Sequence, residues 1–231
     1  MKVLNDLFDY DYKIYQDSDY FKFSLDSILL AEFVNLNNQD SVLDMCTGNA
    51  PIPMILSSKK RNIEVDGVEI QEDIYNLAKE SIAYNKLVNS IYIHNCNISD
   101  FNSHKKYDII TCNPPYFKKN SAIINTTSNI KAIARHEIFI TLEECFQLSK
   151  KHLKDDGVFY LVHRPERIDE ILNLCDKYKY GISKICFIFT KENTKAKVLL
   201  IEMLNNKRNN IKIYNKNISG LKTYKNIFKE D

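Results

Sequence analysis

The sequence has no apolar run long enough to cross a bilayer, which needs roughly 20 residues. Its longest such stretches, Ser27 to Val34 among them, stop well short. No signal-peptide apolar region follows Met1-Lys2-Val3-Leu4-Asn5-Asp6, which turns acidic at once. The expectation is a cytoplasmic chain with no membrane partner. Among the cysteines, Cys46, Cys96, Cys112, Cys145, Cys175 and Cys186, there is no CxxC pair, and no Cys/His spacing resembles a zinc site. No metal is expected, and buried free thiols in a reducing compartment are. Repeats, Gly/Ser linkers and long low-complexity stretches are also missing, so 231 residues fit one α/β domain with small additions at its ends.

Strong net charge is lacking too. A value of +2, with 44% hydrophobic and 27% charged residues, excludes global disorder but does not establish nucleic-acid binding. The distribution says more. Lys207, Arg208, Lys212, Lys216, Lys222, Lys225 and Lys229 follow one another with no acid between them. Such a tail suits a phosphate backbone. Lysine and asparagine are abundant throughout, however, so compositional bias is the competing explanation.

What is present is an alternation of strands and helices. Residues 1–40 read as a Tyr-, Asp- and Phe-rich cap followed by a helix from Leu25 to Leu36. Residues 41–204 read as a core, and 205–231 as a basic C-terminal tail. Strands are expected at Ser41–Asp44, Glu64–Glu69, Ile91–His94, Tyr107–Cys112, Gly157–Val162, Ile182–Phe189 and Lys197–Leu204. Helices are expected at Pro51–Lys60, Asp73–Asn85, Thr141–Leu153 and Arg167–Tyr178. This order predicts an α/β fold: a mostly parallel seven-stranded sheet, helices on both faces, and an antiparallel hairpin at one edge.

Open sheets of this kind bind ligands beyond the carboxyl ends of their strands. After the first core strand comes Asp44-Met45-Cys46-Thr47-Gly48-Asn49-Ala50, which resembles the methyltransferase motif D-x-G-x-G-x-G with only Gly48 kept. That likeness implies S-adenosylmethionine (SAM), with Asp44 close to its methionine ammonium and Gly48 in the tight turn beneath it. Glu69 ends the next strand, where an acid accepts hydrogen bonds from both ribose hydroxyls. Ile70 would touch the adenine. Methyltransferases often carry Asp after the third strand; here Asn97 offers its amide oxygen to the adenine amine.

Asn113-Pro114-Pro115-Tyr116 is the most specific signal. The prolines fix the backbone and exclude helix directly after the fourth strand. The Asn113 side-chain oxygen and the Pro114 carbonyl then face one point, as needed to accept both N–H groups of an exocyclic amine and aim its lone pair at a methyl donor. Tyr116 offers a face for stacking a planar base or amide. In-line transfer needs positioning above all, and no strong base, since the amine loses its proton after attack.

The chain resembles the bacterial tRNA adenine-N6 methyltransferases that modify adenine 37 of valine tRNA, beside the anticodon. The resemblance runs through Ile14 to Asp17, Phe21 to Phe33, Val42 to Leu56, Asn113 to Phe117, Ala134 to Glu137 and Leu161 to Leu172. It implies a Rossmann-like SAM-dependent methyltransferase that binds the tRNA anticodon loop. It places Phe23 and Asp26 at the cofactor's mouth, with Asn113 at both cofactor and acceptor. Tyr116, Phe117, Lys118, Arg135 and Arg164 fall on the substrate side; a solvated charged surface is the competing explanation for Lys118 and Arg135. A glutamine-N5 methyltransferase of a peptide-release factor shares the Asn-Pro-Pro-Tyr segment. That family normally carries an N-terminal helical domain, for which the residues before the first core strand are too few. Guanine-N2 methylation of ribosomal RNA and a non-catalytic RNA-binding module are the further alternatives.

Overall fold

Val42, Val65 and Ile109 pack into one core layer, while Leu43, Val68 and Ile110 pack into another. That is the two-residue period of strands buried on both faces. A computed structural model describes residues 1–18, 20, 23–60, 62–116, 140–191, 194–206 and 210–228. The chain opens with the antiparallel pair β1 (Lys2–Asp6) and β2 (Lys13–Asp17). Then come α1 (Leu25–Phe33), β3 (Ser41–Met45), α2 (Pro51–Lys59), β4 (Glu64–Glu69), α3 (Glu72–Tyr84), β5 (Ile91–Asn95) and β6 (Tyr107–Cys112). After residue 140 follow α4 (Leu142–His152), β7 (Leu153–His163), a short 3-10 turn at Pro165–Arg167, α5 (Ile168–Lys177), β8 (Tyr180–Phe189), β9 (Val198–Asn205) and β10 (Lys212–Asn217).

The helices form for local reasons the sequence carries. Pro51 and Pro53 sit in the opening turn of α2, where a missing N–H costs nothing. On α3, Ile74, Leu77, Ala78, Ser81 and Ile82 are buried at helical spacing. Thr141 and Glu144 close a reciprocal capping box on α4, and Lys150, Lys151 and His152 occupy its last turn. Helices α1 to α3 pack into one core layer; α4 and α5 pack into the other. No described helix is long and apolar enough to cross a membrane.

Among the described residues the large sheet runs β10-β8-β9-β7-β6-β3-β4-β5, with β9 antiparallel to β7 and β8. Strand order reverses at β3, with β4 and β5 on one side and β6 on the other. This is the switch point where open α/β sheets form crevices.

The α/β class read from the sequence is the observed one, with eight strands rather than seven. The eighth, β10, lies in the segment read as a tail and pairs in parallel with β8. The antiparallel β8–β9 hairpin therefore sits one strand in from the edge. A bare β8 would present a row of unpaired backbone groups, and β10 covers them. Its sequence, KIYNKN, hides the strand because lysine and asparagine dilute the alternation. Beyond β10 the chain returns to the N-terminal cap. Ile218 is buried, Phe228 meets Phe33 edge-on at 5.3 Å, and Asp9 accepts from the Thr223 hydroxyl and the Tyr224 amide.

Candidate active site

A cavity of about 420 Å³ opens at the switch point, between the carboxyl ends of β3 to β6 and the first turn of α1. Its size and mixed lining fall within the range of small-molecule sites. Phe23, Asp26, Gly48, Glu69, Ile70, Asn97, Asn113, Pro114, Tyr116 and Arg164, all singled out in the sequence, meet on its wall. Phe117, Lys118 and Arg135 lie outside the described residues.

The loop after β3 keeps the backbone of a glycine-rich turn although two of its glycine positions are filled otherwise. Cys46, Gly48 and Ala50 all have positive φ, at 59°, 59° and 67°. Gly48 adopts this without cost, whereas an L-residue there is strained by about 1–2 kcal/mol. Beyond its two chain neighbours, no described residue comes within 4 Å of where a Gly48 Cβ would stand, so this backbone faces the cavity uncovered. Its amide donates to Glu69 Oε2 at 2.9 Å, tying the loop to the end of β4.

Glu69 is buried, and its other oxygen accepts from the Gln71 amide N–H at 2.9 Å and side-chain N–H at 3.2 Å. Burial raises its pKa, and these donors partly offset the shift. Asn95, not anticipated from sequence, donates to the carbonyls of Glu69 at 2.9 Å and Ile70 at 3.3 Å, fixing the β4 end against β5. The Asn97 side-chain oxygen already accepts the Ser99 amide at 3.1 Å, which orients it and leaves its second lone pair.

The motif likeness implied a place for Asp44 close to the methionine ammonium. Asp44 is fully buried and lies beneath the cavity rather than on its wall. Its two oxygens accept from the hydroxyls of Thr47 at 2.7 Å and Thr111 at 2.6 Å. Burial pushes its pKa up to about 7 despite these donors, and the nearby Glu69 charge adds to the rise. Thr47 lies inside the motif, three residues from Asp44, without having been singled out, and Thr111 meets Asp44 only through the β3–β6 register.

At the acceptor end, the Asn113 amide donates to Ser27 Oγ at 2.9 Å. Its oxygen lies 2.6 Å from the Tyr116 hydroxyl, which is also 2.9 Å from Asp26 Oδ2. Burial, then the Asp26 charge, raises the Tyr116 pKa well above its usual value, so the phenol stays protonated. The Arg164 guanidinium covers the Tyr116 ring at 4.6 Å and reaches Asp26 at 3.6 Å. The ring of His163 meets Tyr116 at 5.1 Å, and Arg167 donates to the Tyr116 carbonyl at 3.2 Å. Tyr116 is thus braced on several sides by the chain's own groups.

The family description "Methyltransferase small domain" matches residues 21–174. A curated relative from Flavobacterium psychrophilum, tRNA1(Val) (adenine(37)-N6)-methyltransferase, is 22% identical over 201 residues, 86% of this chain and 85% of its own length. A relative of the same name from Pseudoalteromonas translucida is 30% identical over 151 residues, covering 65% of this chain and 63% of its own. Among solved structures, M. jannaschii TYW2 in complex with AdoMet superposes with a TM-score of 0.59 at 17% identity, over 88% of this chain and 86% of that one. The shared fold is the Rossmann-like methyltransferase sheet.

Proposed function

The chain belongs to the methyltransferase small domain family, and we propose that it methylates the exocyclic N6 of an adenine in tRNA, at position 37 beside the anticodon of valine tRNA. The observation that carries this reading is the seating of Asn113, Pro114 and Tyr116 on the same cavity wall as Glu69 and the Gly48 loop. The names of the curated relatives support the choice of adenine and of tRNA.

The cavity fits SAM. A buried carboxylate at the β4 end suits ribose hydroxyls, an uncovered backbone at Gly48 allows close approach, and Ile70 and Asn97 line the same cavity. When bound, SAM supplies an electrophilic methyl group on a sulfonium. The protein's own part is to bind and orient. Glu69 would accept from the ribose hydroxyls, the Gly48 loop would support the amino-acid end, and Asn97 would accept from the adenine amine. On the acceptor side, the Asn113 oxygen and the Pro114 carbonyl accept the two N–H groups of the amine and set its lone pair toward the methyl. An unpaired anticodon-loop base enters at less unstacking cost than one held in a duplex. Such a base is reached in the cytoplasm, where we place the protein.

The test is transfer of labelled methyl from SAM to total RNA and to total protein, read by nucleoside and peptide mass spectrometry. N6-methyladenosine in the tRNA fraction is expected. Methylglutamine in protein, with RNA unlabelled, would overturn the reading.

A further inference from the structure

The Tyr116 hydroxyl carries one proton and has two acceptors in reach, Asn113 Oδ1 at 2.6 Å and Asp26 Oδ2 at 2.9 Å. Asn113 is the residue that must lend its oxygen to the amine. A phenol donating to that same oxygen draws on the same electron density and weakens the acceptor. Asp26 offers the phenol another seat. Its side chain is only 11% exposed, sits in the first turn of α1, and has the Arg164 guanidinium 3.6 Å away. A hydrogen bond to an ionised acceptor is about twice as strong as one between neutral groups. The helix N-terminus and the guanidinium both favour the negative charge there.

We propose that Asp26 is a positioning residue for methyl transfer: it takes the Tyr116 hydroxyl away from Asn113, so that the Asn113 oxygen is free to accept the amine. This rests on the amine-methylation reading above, and it assigns Asp26 to the acceptor side of the cavity. The two-acceptor geometry places the effect on turnover and not on cofactor binding. Ser27, next in the chain, holds the other end of the Asn113 amide at 2.9 Å. Consecutive residues of α1 thus govern both polar atoms of the Asn113 side chain.

The arrangement makes an unusual demand: a second substitution must restore what the first removes. In Asp26→Ala the phenol has only Asn113 left, and kcat should fall by about tenfold or more, the scale of a competing buried hydrogen bond. Adding Tyr116→Phe to Asp26→Ala removes the competitor and should recover at least about tenfold over Asp26→Ala alone. Asp26→Asn keeps an acceptor oxygen and should retain more turnover than Asp26→Ala.

The labelled acceptor of the wild-type protein, RNA or protein, is identified first, and the variants are compared on it with full-length chains. SAM affinity by isothermal titration and the melting temperature are followed in parallel; SAM affinity is expected to stay close to wild type, and the melting temperature to fall in every variant that lacks the Asp26 carboxylate, whether or not turnover recovers. A double variant no more active than Asp26→Ala, or an Asp26→Ala protein as active as wild type, overturns the assignment. Should Asp26→Ala fail to fold, the comparison runs between Asp26→Asn with and without Tyr116→Phe; it is overturned if Asp26→Asn loses as much SAM affinity as turnover. Wild-type label landing on protein glutamine defeats the tRNA reading while leaving the variant ratios to judge Asp26. No transfer by the wild-type chain to either pool defeats both.

Discussion

Replacing Thr111 by Val should destabilise the protein, and by more at pH 8 than at pH 5. The substitution keeps the shape of a fully buried side chain and deletes the hydroxyl that donates to Asp44 at 2.6 Å. Thr47 remains as the other donor, at 2.7 Å. Burial pushes the pKa of Asp44 in the folded protein up to about 7, from about 3.9 for an ordinary aspartate. The folded state therefore holds a proton that the unfolded chain releases, and stability falls as pH climbs from about 4 to about 7. Near pH 5 the carboxyl is mainly neutral, and losing one hydrogen bond costs about 1 kcal/mol. Near pH 8 it is mainly ionised, and losing a donor to a buried carboxylate costs about 1.5–3 kcal/mol. For a chain of this length, about 2–4 °C of melting temperature accompanies each kcal/mol. The expected losses are thus about 2–4 °C at pH 5 and about twice that at pH 8. Without its donor Asp44 should hold its proton to still higher pH, so the fall in stability extends upward. Urea denaturation across pH 5 to 8, with Thr111→Ser as the variant that keeps a hydroxyl, measures this directly. An equal cost at both ends of the range would refute the reasoning, since Asp44 would then not be changing its charge in this window.

Asn113→Ala should abolish methyl transfer while SAM affinity stays within about threefold of wild type, because positioning of the amine is lost and the Glu69 end is untouched; parallel loss in titration and turnover would make Asn113 a structural turn. Cys46→Gly should leave stability within about 1 kcal/mol of wild type, relief of the positive φ offsetting the lost thiol and the freer unfolded chain. Cys46→Val, a β-branched residue at φ 59°, should cost about 2 kcal/mol or more, and equal stability of the two by urea denaturation would show that backbone conformation does not select this position. Deleting residues 206–231 should lower the melting temperature by at least about 5 °C, since it bares the β8 edge and removes Ile218, 5% exposed, and its neighbours from the core. An unchanged melting temperature would return this segment to the status of a tail.

The parts of the site that the sequence announced are those fixed by position along one strand. Glu69, Asn97 and Asn113 each fall at or just beyond a strand's carboxyl end, and topology alone brings such ends together. What it did not announce depends on neighbours distant in the chain. Nothing local to Asp44 tells that Thr111, 67 positions on, stands opposite it. Nothing near Asn113 points to Ser27, although both lie in segments that carry the family resemblance. The departures from glycine at Cys46 and Ala50 were visible, but only the structure shows that their backbone conformation survives the change of residue. The C-terminal strand was missed for a different reason: its pairing is specified by an edge that needs covering and not by its own polar-rich composition.

Asp44 also explains how two loops that never pair with each other are held in register. One oxygen anchors Thr47, inside the turn that carries Gly48, and the other anchors Thr111, two residues before Asn113. A displacement of either hydroxyl is felt by the same carboxylate and so by the opposite loop. Because Asp44 is wholly buried, water cannot replace a lost donor, and the penalty must be met by proton uptake or by movement of the remaining threonine. Movement of Thr47 would shift the Gly48 amide off Glu69; movement of β6 would shift the Asn113 oxygen. A buried carboxylate, bonded to Thr47 on the cavity wall and to Thr111 behind Asn113, therefore couples the Gly48 loop to the segment that carries Asn113.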